Sequence, residues 1–287
     1  MSENFIRKYK LSITASNGKG VIIQNQHIEF TVNSSGNSKL NELDLKIYNL
    51  SAETISIFDS IDAVVKLEVG FGDNPLATVF NGNKIYVASR RDGTEVITNV
   101  LAAEGAVTVR EGRVQAALPE SSTVRDIINK IIKEGMPEIK VVNLNGDTLT
   151  KTYPRGYSTS GSAKTELDKI TSTNNLKWHI VQNDTINVYP VNGDIKRKAI
   201  LITPTMIKNT PEKTTKEVSE LKEDLNLPKK TGLNLTLQMN PLFVAGAVIK
   251  IQGTFNSDGV YVIDKVKHSG SFEGDNWDTS LECSNYQ

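Results

Sequence analysis

Residues 259–283 read GVYVIDKVKHSGSFEGDNWDTSLEC, and their pattern decides between a reactive corner and a structural hairpin. The stretch holds one of three histidines (His268), one of two tryptophans (Trp277) and the only cysteine (Cys283). Its first run alternates. Tyr261, Ile263 and Lys265 are predicted on one side of a strand, and Val260, Val262, Val266 and His268 on the other. Trp277, Thr279, Leu281 and Cys283 repeat at period two, so they share one face of a returning strand. A thiolate nucleophile needs a base beside it and an electropositive, partly exposed site. Cys283 instead stands among apolar strand neighbours and reads as a small buried residue. His268 and Trp277 flank the connecting loop from opposite strands. With Tyr261 they are expected to form a structural clamp of the hairpin by cross-strand packing. A buried indole removes on the order of 200 Å² from water, a few kcal/mol by area.

The same β character extends through residues 197–287. Strands are predicted at 199–203, 232–238, 248–252, 260–267 and 277–283. Between the first two lies KNTPEKTTKEVSELKEDLNLPKK, residues 208–230, where only Val218, Leu221 and Leu225 form a helical stripe. This polar run is expected to be a mobile loop or arm that orders against a partner. Lys208, Glu212, Lys216, Glu220 and Lys229 are its candidate partner contacts.

Residues 1–108 also read as β. Leu43, Leu45 and Ile47 alternate with charged neighbours within 39–48, and similar runs occupy 27–32, 63–69, 84–88 and 95–101. Turn residues separate them at 18–20, 33–37, 72–75 and 91–93, and Ser51 is placed to cap one short helix ending near Phe58. Many short strands at such spacing suggest a barrel or sandwich.

Residues 109–196 change character. Thr123-Val124-Arg125-Asp126 has the form of a capping box, and Val124, Ile127, Ile128, Ile131 and Ile132 form one helical face. Gly135 is the predicted stop, with Pro137 beyond it and a strand at 138–142. Ser162 is placed to cap a second helix with Ala163, Leu167 and Ile170 inward. Leu176, Trp178 and Ile180 then alternate in a strand, Asn183-Asp184 turns the chain, and Ile186 and Val188 return. Two small helix-strand-strand modules are expected, at 109–157 and 158–196. The fold class is mainly β with a small α+β insert.

Composition narrows the function. Lysine plus arginine and aspartate plus glutamate both total 33, for a formal net charge of zero. A general nucleic-acid binder carries an overall basic surface instead. Low net charge suits a subunit that ends up inside an assembly. No stretch approaches the ~20 apolar residues of a membrane span. The start, MSENFIRKYKLS, lacks the apolar segment of a secretory signal, so export by that route is not expected. A single cysteine rules out an internal disulfide framework. His27, His179 and His268 lie far apart in strand contexts, without the i, i+4 partner of a helical zinc site. Gly70-Phe71-Gly72-Asp73 lacks the third glycine of a dinucleotide site, and neither a phosphate loop nor a G-x-S-x-G elbow occurs. Glu53, Asp59 and Asp62 read as surface charge around a short helix, and 257–259 and 274–276 as turns. No enzyme activity, metal or cofactor is expected.

Three stretches resemble the baseplate hub proteins of bacteriophage tails, of the tail-tube-like, spike-adaptor type. The first is NPLFVAGAVIKIQG (240–253) with the opening stretch. There Gly259, Tyr261, Ile263, Val266, His268, Gly270, Trp277 and Thr279 match the family's closing pattern. The second is ELDLKIYNLSAETISIF (42–58) with FNGNKIYVASRRDGTEVITNVLAAEG (80–105), and the third is ILITPTMIKNTPE (200–212). Two places depart from the family. Asp59-Ser60-Ile61-Asp62 stands where it often has a glycine-rich entry, and Ala103-Glu104-Gly105 where it has an aspartate. The run 208–230 is also long.

The resemblance implies two tail-tube-like β-barrels, at 1–108 and 197–287, flanking the insert. It implies a homotrimer that adapts a sixfold tail tube to a threefold central spike around a channel. The implied partners are the chain itself, the tail tube protein or a distal tube adaptor, the central spike, baseplate wedge proteins and the tape-measure protein. DNA would be met only in transit, and no direct membrane insertion is implied. The implied location is the tail baseplate of the virion, assembled in the bacterial host cytoplasm. Three alternatives stay open. One is the hub of a phage-derived contractile injection device. Another is a surface carbohydrate- or peptide-binding β module, which needs exposed aromatics where this chain has only 6 % aromatic residues. The last is a cell-wall hydrolase, which needs paired carboxylates or a metal site.

Overall fold

A computed structural model describes residues 6–35, 40–191, 199–216, 230–254 and 256–285. The N-terminal region comprises β1 (Arg7–Thr14), β2 (Gly20–Ile23), β3 (Ile28–Ser35), β4 (Glu42–Tyr48), α1 (Ala52–Phe58), β5 (Val64–Phe71), β6 (Ala77–Asp92) and β7 (Glu95–Ala103). The insert follows with α2 (Ala106–Glu111), β8 (Arg113–Leu118), β9 (Ser122–Thr123), α3 (Val124–Gly135), β10 (Val141–Leu144), β11 (Thr152–Tyr153), β12 (Tyr157–Ser162), α4 (Ala163–Thr173), β13 (Leu176–Val181) and β14 (Thr185–Pro190). The C-terminal region holds β15 (Ile200–Ile202), β16 (Glu212–Lys216), β17 (Lys230–Gln238), β18 (Val248–Ile251), β19 (Gly259–Ser271) and β20 (Trp277–Asn285).

Both ends of the chain join one thirteen-stranded sheet, ordered β16-β17-β20-β19-β3-β4-β7-β6-β5-β1-β2, with β18 and β15 continuing from β19. Two closed barrels were the expectation. Among the described residues no ladder closes either end on itself. Instead β3 pairs with its own neighbour β4 on one side and with β19 on the other, antiparallel from Lys265↔Ser35 to Ser271↔Glu29. This seam unites regions more than 200 residues apart in sequence.

Side chains cross the seam in rows. On the buried face one row runs Trp277, Gly270, Phe30, Leu45, Val100 and Val87 across β20, β19, β3, β4, β7 and β6. The rings of Phe30 and Trp277 meet edge to face with centroids 5.4 Å apart. Gly270 lies between their strands, and a Cβ there would come within 2.6 Å of the Phe30 ring and 2.7 Å of the Trp277 ring. The glycine is therefore required by close approach. Arg7 sits 5.7 Å above the indole and donates to the carbonyls of Ser271 (3.0 Å), Gly274 and Asp275 (2.9 Å). One guanidinium thus fastens the β19–β20 loop to β1.

The strand faces of β19 correct the simple alternation. The pairing with β20 slips between Ile263 and Lys265, a β-bulge with Asp264 as the extra residue. Each bulged residue reverses the phase, so Tyr261 and Ile263 end on the same buried face as Val266 and His268, while Val260 and Lys265 are exposed. The returning strand keeps the predicted phase, with Trp277, Thr279, Leu281 and Cys283 all buried.

In the insert, Thr123 and Asp126 form the capping box reciprocally: Asp126 N–H donates to Thr123 Oγ1 at 3.2 Å, and Thr123 N–H to Asp126 Oδ2 at 2.9 Å. The predicted face of α3 is buried throughout. Ser162 stands at the N-cap of α4 without a capping bond from its side chain. The two expected modules share one core, from Val124 and Ile131 to Leu167, Trp178 and Val188. Their strands mix as well, because β10 pairs in parallel with β14, giving the order β10-β14-β13. The small pattern repeat therefore builds one folded unit. The strand expected at 138–142 begins later, at Val141, and Val181↔Thr185 pairing leaves Gln182, Asn183 and Asp184 in the turn.

Replacing Gly270 with alanine overpacks the two rings and is expected to destabilise the fold by about 2 kcal/mol. Urea unfolding checks this, since the midpoint should fall with an unchanged m-value.

Candidate functional site

The outer face of the same sheet is built from the alternate residues. One row crosses seven strands as Gln238, Asp278, Ser269, Thr31, Asp44, Leu101 and Tyr86. The next runs Thr236, Ser280, Lys267, Asn33 and Glu42, and a third runs Asn234, Glu282, Lys265 and Ser35. On the other side of the first row lie Ser271, Glu29, Lys46 and Asn99. The face is mostly polar because period-two alternation puts most apolar partners on the core side, with Leu101 and Tyr86 the exceptions at its β7–β6 end. It carries five carboxylates, Glu29, Glu42, Asp44, Asp278 and Glu282, against Lys46, Lys265 and Lys267. Lys46 pairs with Glu29 at 3.3 Å and Lys265 with Glu282 at 3.0 Å. Two depressions, of about 660 and 360 Å³, lie along it toward opposite ends of the seam, each lined by residues of both β3 and β19.

Both ends of this face are strand edges. β16 terminates the order on one side and pairs only with β17 among the described strands. On the other side β6 bends. Its residues 77–83 pair with β5, and its residues 83–92 pair with β7. A slip between Lys84 and Tyr86 marks a bulge at Ile85. Beyond it, Ile85, Tyr86 and Leu101 are exposed, at 59, 53 and 42 %. An apolar cluster therefore stands beside an open edge, where a further strand can pair.

The predicted clamp residues all lie on the core side but form separate contacts. Trp277 is opposite Gly270 and joins the N-terminal core, whereas His268 is opposite Thr279 and Val32. His268 Nδ1 lies 2.9 Å from Thr279 Oγ1, and that hydroxyl accepts from Asn240 N–H at 3.0 Å. Tyr261 belongs to the C-terminal core and donates to Ser257 O at 3.2 Å. Of the arm residues, Lys208 pairs with Asp278, and exposed Glu212 borders the larger depression. Lys216 ends β16, so residues 212–216 form an edge strand where a loop was expected. Glu220 and Lys229 lie outside the described residues. His27 stacks on Tyr48 near Glu29 and Glu273, and His179 is buried beside Tyr189. Asp62 receives both Nη atoms of Arg110 at 2.9 and 3.1 Å. Burial pushes the Cys283 thiol up, away from nucleophile behaviour. Among the described residues no cluster of three or more His, Cys, Asp or Glu is arranged for a metal, and no helix is long and apolar enough to cross a membrane.

One polar cluster escaped the sequence reading. Glu104, at the end of β7, is buried where the β13–β14 turn meets the N-terminal sheet. Its carboxylate accepts from Asn41 Nδ2 at 2.7 Å and from Asn81 N–H at 3.2 Å, and the backbone of Gln182 also bonds it. The signal in sequence was a lone acidic residue after the apolar run Val100-Leu101-Ala102-Ala103.

No protein-family model and no curated protein matches the chain. Solved structures do. A tail protein from Neisseria meningitidis MC58 superposes with a TM-score of 0.65 at 12 % identity, over 96 % of each chain. The 43 kDa tail protein of prophage MuSo2 from Shewanella oneidensis gives 0.66 at 9 % identity, again over 96 % of each. An E. coli component of the type VI secretion system, described as similar to the T4 bacteriophage tail proteins gp27 and gp5, gives 0.63 at 14 % identity, over 91 % of this chain and 74 % of that one. The chain shares their fold. At these identities the likeness concerns architecture, and it extends across both terminal regions and the insert together.

His268 makes the seam sensitive to acid. Burial holds its imidazole at about 4, below the ordinary value. The folded state thus excludes a proton that the unfolded chain takes up below about 6.5. This contribution is complete above pH 6.5 and is lost as the pH falls toward 4. Wild type should lose about 3 kcal/mol more over that window than His268→Gln. Urea titrations at stepped pH measure the difference.

Proposed function

We propose that this chain is a structural hub subunit of a phage-type tail. It acts as a homotrimer that adapts a sixfold tube to a threefold spike around a channel. The observation that carries this reading is the strand order about the seam. β3, β4, β7 and residues 84–92 of β6 lie on one side of it, before the sheet turns away through residues 77–83 of β6 to β5, β1 and β2, and β19, β20, β17 and β16 lie on the other. One chain therefore presents two four-strand units side by side, and three chains present six. Pairing the β16 edge of one copy with the β6 edge of the next closes the ring and removes both open edges. The two regions then serve as the two tube-like sheet units of each subunit, and His268, Trp277 and Tyr261 brace the hairpin next to the seam.

The polar outer face lines the channel in this arrangement. Its excess of carboxylates over lysines keeps a passing polyanion from binding by counterion release. Tube protein or a distal adaptor docks on one rim and the spike on the other. Wedge proteins surround the ring, the tape-measure protein occupies the lumen, and DNA is met only in transit. Lys208 and Glu212 are the contacts offered to such partners among the described side chains. The subunit works in the tail baseplate of the virion and assembles in the bacterial cytoplasm, without catalysis or cofactor. The type VI secretion component of the same fold favours one second reading, the hub of a contractile injection device that delivers no genome.

Light scattering with negative-stain microscopy tests the proposal. A trimer with a central pore is expected. A protein that stays monomeric at high concentration, or a pore-less oligomer, overturns it. Tyr86→Lys with Leu101→Lys places two cations beside the β6 edge and should weaken trimer formation more than tenfold. Because both side chains are exposed, the melting temperature of the monomer should stay within a few degrees of wild type.

A further inference from the structure

The N-terminal sheet and the insert meet at a close-fitting polar junction whose contacts converge on one carboxyl group. The tip of the β13–β14 hairpin inserts there. Gln182 and Asn183 both adopt left-handed backbone angles, φ 54° and 68°. Such angles in residues other than glycine persist where the surroundings hold them. The surroundings are specific. Asn183 Oδ1 accepts from Gly105 N–H at 2.5 Å, and its Nδ2 donates to Asn83 Oδ1 at 3.0 Å. Asn81 Nδ2 donates to Gln182 O at 3.0 Å, and Asn41 Nδ2 to Ile180 O at 3.1 Å. Gly105 has φ 71°, and a Cβ there would sit 2.5 Å from Ile180 Cδ1. No side chain fits between the two units at this point.

Glu104 lies within this junction at 2 % exposure. Its three donors come from three segments: Asn41 before β4, Asn81 in β6 and Gln182 in the hairpin tip. The side chain that bonds it is the neutral amide of Asn41, and the amides of Asn81, Asn83 and Asn183 tie the surrounding junction together. The charged group that bears on it is Asp184, from the same hairpin and of the same sign. A buried carboxylate facing another carboxylate is held by hydrogen bonds alone, against the desolvation of its charge. The pocket also contains a spare acceptor, since Asn41 Oδ1 is buried with no hydrogen-bond partner. The three donors favour the anion, and burial, with the like charge of Asp184, outweighs them.

We propose that Glu104 is a proton-operated latch between the N-terminal sheet and the insert, closed when the carboxyl is neutral and loosened when it ionises. Its place in the junction supplies the mechanism. Ionisation leaves a charge whose solvation requires the hairpin tip to withdraw, and withdrawal also releases the two left-handed residues. Burial is the largest cause raising the carboxyl to about 7, from an ordinary value near 4.5, and Asp184 adds to it. The closed junction therefore holds a proton that the open one gives up. Closure is strongest in acid and weakens as the pH rises from about 4.5 to about 7, by up to about 300-fold in the open-to-closed ratio. The inference rests on the junction alone and stands apart from the hub reading.

Amide hydrogen exchange on the full chain between pH 4.5 and 8.5, corrected for the intrinsic pH dependence of exchange, tests the latch. Protection of the Gly105 and Gln182 amides should fall at least tenfold more in wild type than in Glu104→Gln, which stays neutral throughout. Asp184→Asn provides an independent arm, because removing the like charge should move the wild-type midpoint to lower pH. Equal profiles in wild type and Glu104→Gln overturn the proposal. Should Glu104→Gln not fold, a midpoint unmoved by Asp184→Asn overturns it.

Discussion

The structure depends on one ladder, the antiparallel pairing of β3 with the second half of β19. It joins the two ends of the chain into one sheet, and everything on the outer face follows from its register. The pairing holds because Gly270 lets the Phe30 and Trp277 rings approach across it. Non-local pairing of this kind closes a loop of more than 200 residues, so its entropy must be offset by contacts that form only when both ends are present. The Phe30–Trp277 packing and the Arg7 bonds to the β19–β20 loop are such contacts. The insert folds around its own core between the two ends and shortens the effective separation.

Much of this was legible in the sequence, and the rest was not, for physical reasons. Period two in Leu43-Asp44-Leu45-Lys46-Ile47 and in Trp277 to Cys283 locates strands because one face must be buried. The capping box at Thr123 and the isoleucine stripe after it locate α3 for equally local reasons. Asp264 misled the reading, because a bulge conserves composition while reversing phase. It put Tyr261 on the wrong side of β19 relative to His268. The edge strand at 212–216 was hidden by its polarity, since an edge needs hydrogen-bond partners more than an apolar face. Which strand pairs with β3 is a tertiary fact that no local pattern contains. Glu104 stood out as an acidic residue after an apolar run and as a departure from a family pattern, but its burial comes from the hairpin tip more than 70 residues later.

The outer face shows how charge and assembly are reconciled. A sheet open at both edges with an apolar cluster beside one of them tends to associate. Near-zero net charge gives little general repulsion to oppose that tendency. Here the edges limit what can be added. β16 is short and polar, whereas β6 is long and bends at Ile85. Two unlike edges favour head-to-tail pairing over pairing of either edge with itself. Head-to-tail pairing either closes as a ring or runs on as a filament. In the proposed ring the twist and bend of the sheet decide between them, so the bulge at Ile85 bears on its size as well as on local shape.

Two buried titrating groups divide the molecule into parts that respond to protons in opposite senses. His268 sits at the seam, and its neutral form is favoured, so the seam strengthens as the pH rises from about 4 toward neutrality. Glu104 sits at the junction with the insert, and its neutral form is favoured too, but neutrality there means a bound proton. The junction therefore weakens over much of the range in which the seam gains. Both shifts have the same origin, desolvation of a charge, and the opposite signs follow only from acid against base. Near neutral pH the seam is at full strength while the contact with the insert is at its loosest. In the proposed latch the junction loosens while the sheet stays intact, because Glu104 lies outside the ladder that holds the ends together.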